Sequence, residues 1–182
     1  MKFRKMMGVT AAFLCAALAL SGCGSTDETA YRIGIVQQDE HSSLDAATQG
    51  FEDKLMELLG EENVTFDYQN AQGEQANSTT IATKFVSDGC DLILANGTTA
   101  LQSAAAATAD IPIVGTSVTD YIAAGAVNSN EKPGTNVTGV SDLGEIKAQV
   151  DVLLTFCEPD TKIAVVYCSA EPNSTYQADL AK

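Results

Sequence analysis

The sequence predicts an α/β fold built on a parallel sheet. Three observations carry that expectation. Short apolar runs rich in Ile and Val recur along the chain. Longer segments lie between them, with apolar residues every three or four positions. The strand-like runs are apolar at nearly every position, which marks strands covered on both faces, and strands that alternate with helices make parallel sheets.

Each element follows in order. Residues 32–36, Arg-Ile-Gly-Ile-Val, read as the first strand. Residues 44–59 form an amphipathic helix, with Leu44, Ala47, Phe51, Leu55 and Leu58 on one face and Gly60 to end it. A second strand covers 64–68. A second helix covers 75–86, with Ile81, Phe85 and Val86 inward. Residues 91–95 make a third strand, 99–108 an Ala-rich third helix and 111–115 a fourth strand. Crossovers between parallel strands are right-handed. Ligands on such sheets bind beyond the carboxyl ends of the strands, which places a site among residues 37–45, 96–99 and 116–121.

The pattern then breaks. Residues 128–136 are polar and hold a Pro133-Gly134 turn signal. A short strand at 137–140 precedes a helix at 145–156 with Ile146, Val150, Leu153 and Leu154 on one face. Residues 162–167 read as another buried strand, and a last helix begins near Ser174. This is the start of a second, similar lobe with one strand and no partner strand. Two full lobes need roughly 250–300 residues, so the chain reads as truncated at its carboxyl end. The other reading is a complete protein whose last elements pack on the first sheet.

The amino terminus reads as an export signal. Lys2, Arg4 and Lys5 precede an apolar stretch, 6–20. That stretch is shorter than the ~20 residues of a membrane-spanning helix. Leu20-Ser21-Gly22-Cys23 resembles a lipobox, the cleavage and lipidation site of bacterial lipoproteins. Cys23 is thus the expected lipidated first residue of the mature chain. The expected divisions are a signal at 1–22, a tether at 23–30, an amino-terminal lobe at 31–127, a crossover or hinge at 128–143 and an incomplete second lobe at 144–182.

Composition narrows the function. The chain has 24 acidic and 10 basic residues. Three of the basic ones lie in the leader, so the mature part carries −17. No basic patch exists to replace phosphate counterions, which excludes nucleic-acid binding. A lipid is then the only membrane anchor. Beyond the leader and Cys23, three cysteines remain, Cys90, Cys157 and Cys168, with no CxxC spacing. Neither a disulfide framework nor a metal site is expected, although export permits a Cys157–Cys168 bridge.

Several strand-end residues carry usable chemistry. Asn96-Gly97-Thr98-Thr99 joins a strand to a helix, and a helix start of this kind binds an anion such as a carboxylate. A plain N-cap by Thr98 is the other reading. Asp45, Asp120 and Asp142 can each pair with a ligand ammonium or cap a nearby helix. His41, the lone histidine, makes a poor metal ligand and is either solvated or a wall of the cleft. Asn173 and Ser174 occupy the matching loop of the second lobe, as clamp or as cap. No nucleophile elbow, P-loop, HExxH or GxGxxG occurs. Catalysis and cofactors are therefore not expected.

Taken together, the chain resembles the substrate-binding lipoproteins of ABC importers in the tryptophan/tyrosine-binding group. The resemblance rests on Ile33-Gly-Ile-Val36 with His41-x-x-Leu44-Asp45, on Ala95-Asn-Gly-Thr98, and on Asp110-Ile-Pro-Ile-Val114 with Val118-Thr-Asp120. Lys132-Pro-Gly-Thr-Asn-Val-Thr-Gly-Val140 with Ser141-Asp142, and Glu171-x-Asn173-Ser174, complete it. It implies a type I periplasmic-binding-protein fold and a small ligand, an aromatic amino acid, held between two lobes and delivered to an ABC permease by cleft closure. His41, Asp45, Gly97, Thr98, Thr99, Asp120, Asp142, Asn173 and Ser174 are the implied ligand contacts, with Tyr121 the nearest aromatic wall. It also implies an extracytoplasmic, membrane-anchored location. The alternatives are a sensing module of a signalling system and a non-functional fragment.

Overall fold

The computed structural model describes residues 30–182. The expected leader, Cys23 and nearly all of the tether lie outside the described residues. Five strands, β1 (Tyr31–Gln37), β2 (Val64–Asn70), β3 (Leu92–Asn96), β4 (Ile113–Val118) and β5 (Val137–Ser141), form one sheet in the order β2-β1-β3-β4-β5. Every neighbouring pair is parallel. Helices α1 (Ser42–Leu59), α2 (Gln75–Ser87) and α3 (Thr98–Ala107) make the first three crossovers, and α4 (Ile146–Leu154) and α5 (Pro172–Leu180) follow the sheet. The α/β, Rossmann-like first lobe is as the sequence predicts.

The two faces of the sheet divide the core by strand alternation. Ile33, Ile35, Val64 and Leu94 pack on one face with Phe51 and Leu55 of α1. Val36, Ile93, Ala95, Ile113 and Val118 pack on the other with Ala82 and Phe85 of α2 and Ala100, Leu101 and Ala104 of α3. Phe85 is fully buried, which stabilises the fold by roughly 1.5–3 kcal/mol relative to an exposed ring. It lies directly over Gly34, where an added Cβ falls 2.6 Å from the ring. The absence of a side chain at position 34 is what lets α2 approach β1.

Helix α1 begins at an extended His41, whose Nδ1 accepts the N–H of Ser43 at 3.2 Å. Asp45 in its first turn complements the helix dipole. The helix stops at Gly60, where φ is +91° and the N–H donates to Met56 O at 2.9 Å. A positive φ of this kind favours glycine.

Strand β5 extends the first sheet. Residues 137–141, which the sequence assigned to the crossover, pair with β4 in the register Ile113↔Val137 and Gly115↔Gly139, with a shift between Gly115 and Val118. Ser117 takes φ +54° at that shift.

One sequence expectation fails after β5. Residues 162–167 are not a strand, and Val166 is 96% exposed. A lone strand cannot satisfy its backbone groups or bury a face without a neighbour, and none of the five strands pairs with this segment. For the same reason α4 has no buried residue; Val152, Leu154 and Phe156 face solvent. Cys157 and Cys168 are free thiols, so the permitted bridge does not form.

Candidate ligand-binding site at the carboxyl edge of the sheet

In the order β2-β1-β3-β4-β5 the chain leaves β1 toward β2 and later returns to place β3 on the other side of β1. The connections after β1 and β3 therefore diverge, which makes the carboxyl ends of these two strands the switch point of the sheet. Ligands on open parallel sheets bind at such a switch point. The loop after β1 carries Gln38, His41 and Asp45, and the turn after β3 carries Gly97, Thr98 and Thr99.

The two connections are fastened together. The N–H of Gln38 donates to Asn96 O at 2.9 Å. The Gln38 side chain lies over Gly97, where a Cβ would sit 2.6 Å from Oε1, and Gly97 takes φ +112°. Both facts require glycine at this turn. The Gln38 Oε1 accepts the N–H of Thr99 at 2.9 Å. Thus the start of α3 is capped by a residue from another loop. Thr98 does not cap its own helix: it is the first helical residue and 4% exposed, and the N-cap is Gly97. Strand β4 joins the same edge, because Gly97 N–H donates to Thr116 O at 3.0 Å.

Asp45 is fixed from below. Its Oδ1 accepts Gln37 Nε2 at 2.7 Å, while the residue itself is exposed. Asp120 is half-buried and its Oδ1 accepts the N–H of Ala123 at 2.6 Å, so it caps a turn. Asp142 is exposed, and its N–H donates to Val118 O at 3.0 Å. It does not cap α4, whose N-cap is Glu145. His41 is exposed and its ring caps α1.

Asn173 and Ser174 belong to a different place. They line a cavity of about 490 Å3 with α4, residues 163–167 and α5. Ser174 Oγ accepts the N–H of Cys168 at 2.9 Å. One bond ties α5 to the sheet edge: Gln177 Nε2 donates to Thr119 Oγ1 at 3.2 Å.

Tyr121 is not an aromatic wall. It is 7% exposed and packs in the core. Its ring rests against Gly115 and Gly139, neither of which leaves room for a Cβ beside the phenol. Its hydroxyl donates to Val140 O at 3.0 Å. Burial, with the Asp142 carboxylate adding to it, pushes the phenol up to about 12.

Comparison with known proteins decides the family. The model of the ABC transporter substrate binding protein family matches residues 32–182. The chain belongs to this family of substrate-binding proteins. A tyrosine-binding protein of Clostridioides difficile (strain R20291) is 39% identical over 194 residues, which take in 98% of this chain and 56% of the relative. An ABC domain from Streptococcus pneumoniae, solved with L-Trp, is 36% identical with a TM-score of 0.78, over 85% of this chain and 52% of that one. A ligand-free, open substrate-binding protein with adhesive properties from Clostridium difficile is 43% identical with a TM-score of 0.67, over 82% and 52%. The chain spans about half the length of these relatives.

Four residues of the candidate site escaped the sequence reading of single roles. Gln37 and Asn96 are fully buried, Thr48 is 6% exposed, and Gln38 bridges the two loops. One signal was present. Thr48 falls on the inward stripe of α1, four positions after Leu44 and three before Phe51, and a hydroxyl on such a stripe needs a buried partner. No pattern in the sequence distinguishes Gln38 from a solvated loop residue.

Proposed function

We propose that this chain is the amino-terminal, ligand-binding part of a lipid-anchored solute-binding protein that hands an aromatic amino acid to an ABC importer. The observation that carries the reading is the switch point between the ends of β1 and β3, where Gln38 joins the loop that leads to Asp45 to the α3 start. The ligand carboxylate takes the N–H groups of Thr98 and Thr99 and displaces the neutral amide oxygen of Gln38, since charge-assisted bonds are roughly twice as strong. The ligand ammonium pairs with Asp45, and Asp120 and Asp142 extend the acidic side. The relatives' tyrosine and L-Trp supply the ligand class. Asn173 and Ser174 close from the second lobe, with the connection that follows β5 as the hinge, and closure shifts a two-state equilibrium that the permease reads. Cys23 carries the lipid that keeps the protein at the extracytoplasmic face of the cell membrane. There is no chemical step.

Calorimetric titration with L-tryptophan and L-tyrosine tests the ligand. Saturable binding that Asp45→Asn weakens about tenfold or more supports the reading, and no heat with either amino acid overturns it. Mass spectrometry of the membrane-extracted protein, with Cys23→Ser as control, tests the anchor. An unlipidated mature amino terminus sinks it.

A further inference from the structure

Beneath the switch point, Asn96 of β3, Thr48 of α1 and Gln37 of β1 meet between the sheet and α1. Gln37 and Asn96 are fully buried. Asn96 Nδ2 donates to Leu44 O at 2.8 Å and to Thr48 Oγ1 at 3.0 Å. Thr48 Oγ1 donates to Gln37 Oε1 at 2.8 Å. Gln37 Nε2 donates to Asp39 O at 2.9 Å and to Asp45 Oδ1 at 2.7 Å.

The direction of this chain of bonds is fixed by chemistry. Leu44 O is a carbonyl and only accepts, so the Asn96 amide must turn its nitrogen toward it. That nitrogen only donates, so the Thr48 hydroxyl accepts from it and must send its own hydrogen to Gln37 Oε1. With its oxygen held there, Gln37 can present only N–H groups to Asp39 O and Asp45. Both of its amide hydrogens are then spent. The carboxylate of Asp45 is pinned by Oδ1, and its Oδ2 has no hydrogen-bond partner among the described residues. A core arranged for stability alone favours apolar side chains in these positions. Asn96 Oδ1 is even left buried with no partner, a cost that packing does not explain.

We infer that Gln37 and Thr48 are positioning residues: the one-way relay Asn96→Thr48→Gln37 holds Asp45 with one oxygen free to receive the ammonium of the ligand. This rests on the amino-acid reading above and adds to it which end of the ligand the buried network serves. Specificity for a protonated amine over a neutral or absent one then depends on a hydroxyl that never touches the ligand.

The experiment uses the unsubstituted chain, Thr48→Val and Thr48→Ser. Each is titrated with L-tryptophan and with indole-3-propionic acid, which keeps the ring and carboxylate and lacks the ammonium. Thermal melting is recorded in parallel. Thr48→Val keeps the shape and removes the relay hydroxyl. The expected result is an affinity for L-tryptophan weakened roughly fivefold to tenfold, about one hydrogen bond's worth. Its affinity for indole-3-propionic acid is expected to stay within about twofold, and Thr48→Ser to keep the unsubstituted affinity for both. Equal losses for both ligands, or none for L-tryptophan, overturn the inference and leave the amino-acid reading standing. Absence of binding to the unsubstituted chain overturns both. If Thr48→Val does not melt cooperatively, Thr48→Ala replaces it with the same two readings.

Discussion

The side-chain Oε1 of Gln38 accepts the backbone N–H of Thr99 at 2.9 Å, so the loop leaving β1 caps the helix that follows β3. This contact spans the switch point of the sheet. It satisfies one of the four N–H groups that a helix start leaves without an intrahelical partner, and it does so with a group that is neutral and on a loop. A carboxylate arriving at the same place gains more from the helix dipole than the amide does.

Gln38→Glu makes that competition permanent. The introduced carboxylate sits at the positive end of α3 and is expected to stabilise the fold by about 0.3–1 kcal/mol. It should also weaken amino-acid binding several-fold, because the ligand carboxylate must displace a charge. Thermal melting and titration of the same sample read the two effects together. An unchanged affinity alongside a raised melting temperature places the ligand carboxylate elsewhere.

Tyr121 and Val140 are bonded across β4 and β5, and the phenol is raised to about 12 by burial. Tyr121→Phe should cost about 1 kcal/mol at neutral pH and leave ligand affinity unchanged, since the ring lies in the core. The pH dependence has a definite sign. The folded-state value lies above the ordinary value of about 10, so the phenol's contribution is whole below about pH 10 and is lost as pH rises toward about 12. Denaturant melts at pH 7, 10 and 11 should show the gap between the parent and Tyr121→Phe closing at the alkaline end. A gap that widens there contradicts the burial of the hydroxyl.

Local pattern made most of the first lobe legible. The runs at 32–36, 91–95 and 111–115 have no competing reading, because an apolar run bounded by polar turns and followed by a 3.6-residue repeat fits only a covered strand and its crossover helix. Residues 162–167 carry the same local signal and fail, because strand identity is completed by a neighbour that local sequence does not contain. The site divides in the same way. Gly97 and the α3 start follow from strand–turn–helix logic. The roles of Gln37, Gln38 and Asn96 depend on which loops the topology brings side by side. Tyr121 was misplaced for a related reason: its ring turns inward only because Gly115 and Gly139, 24 residues apart in sequence, pair across β4 and β5.

The glycine at position 34 is open to direct test. A Cβ there meets the Phe85 ring at 2.6 Å, against fixed ring atoms rather than a flexible tip. Gly34→Ala must therefore push α2 from β1 or force the ring off its rotamer, at about 1–3 kcal/mol. Pairing it with Phe85→Ala removes the Cγ and Cδ atoms that the new Cβ meets, so the double variant should lose less than the two single losses added together. Chemical denaturation of the four proteins gives the coupling energy directly, and strict additivity contradicts the packing described.

Residues 162–167 and β3 offer the sharpest contrast within the molecule. Leu92–Asn96 is paired on both sides, by β1 and by β4, and Ile93, Leu94 and Ala95 are fully buried. Residues 162–167 have strand-like composition, no ladder and side chains such as Val166 in solvent. Amide exchange is governed by hydrogen bonding and by the cost of opening. Amides 93–95 should therefore exchange only with global unfolding, while those of 163–167 exchange within the shortest labelling time. Because the apolar side chains of that segment are solvated and its backbone groups are unpaired, any partner that supplies a strand edge should protect 163–167 without altering 93–95. Slow exchange at 163–167 in dilute, isolated protein contradicts the unpaired backbone seen here.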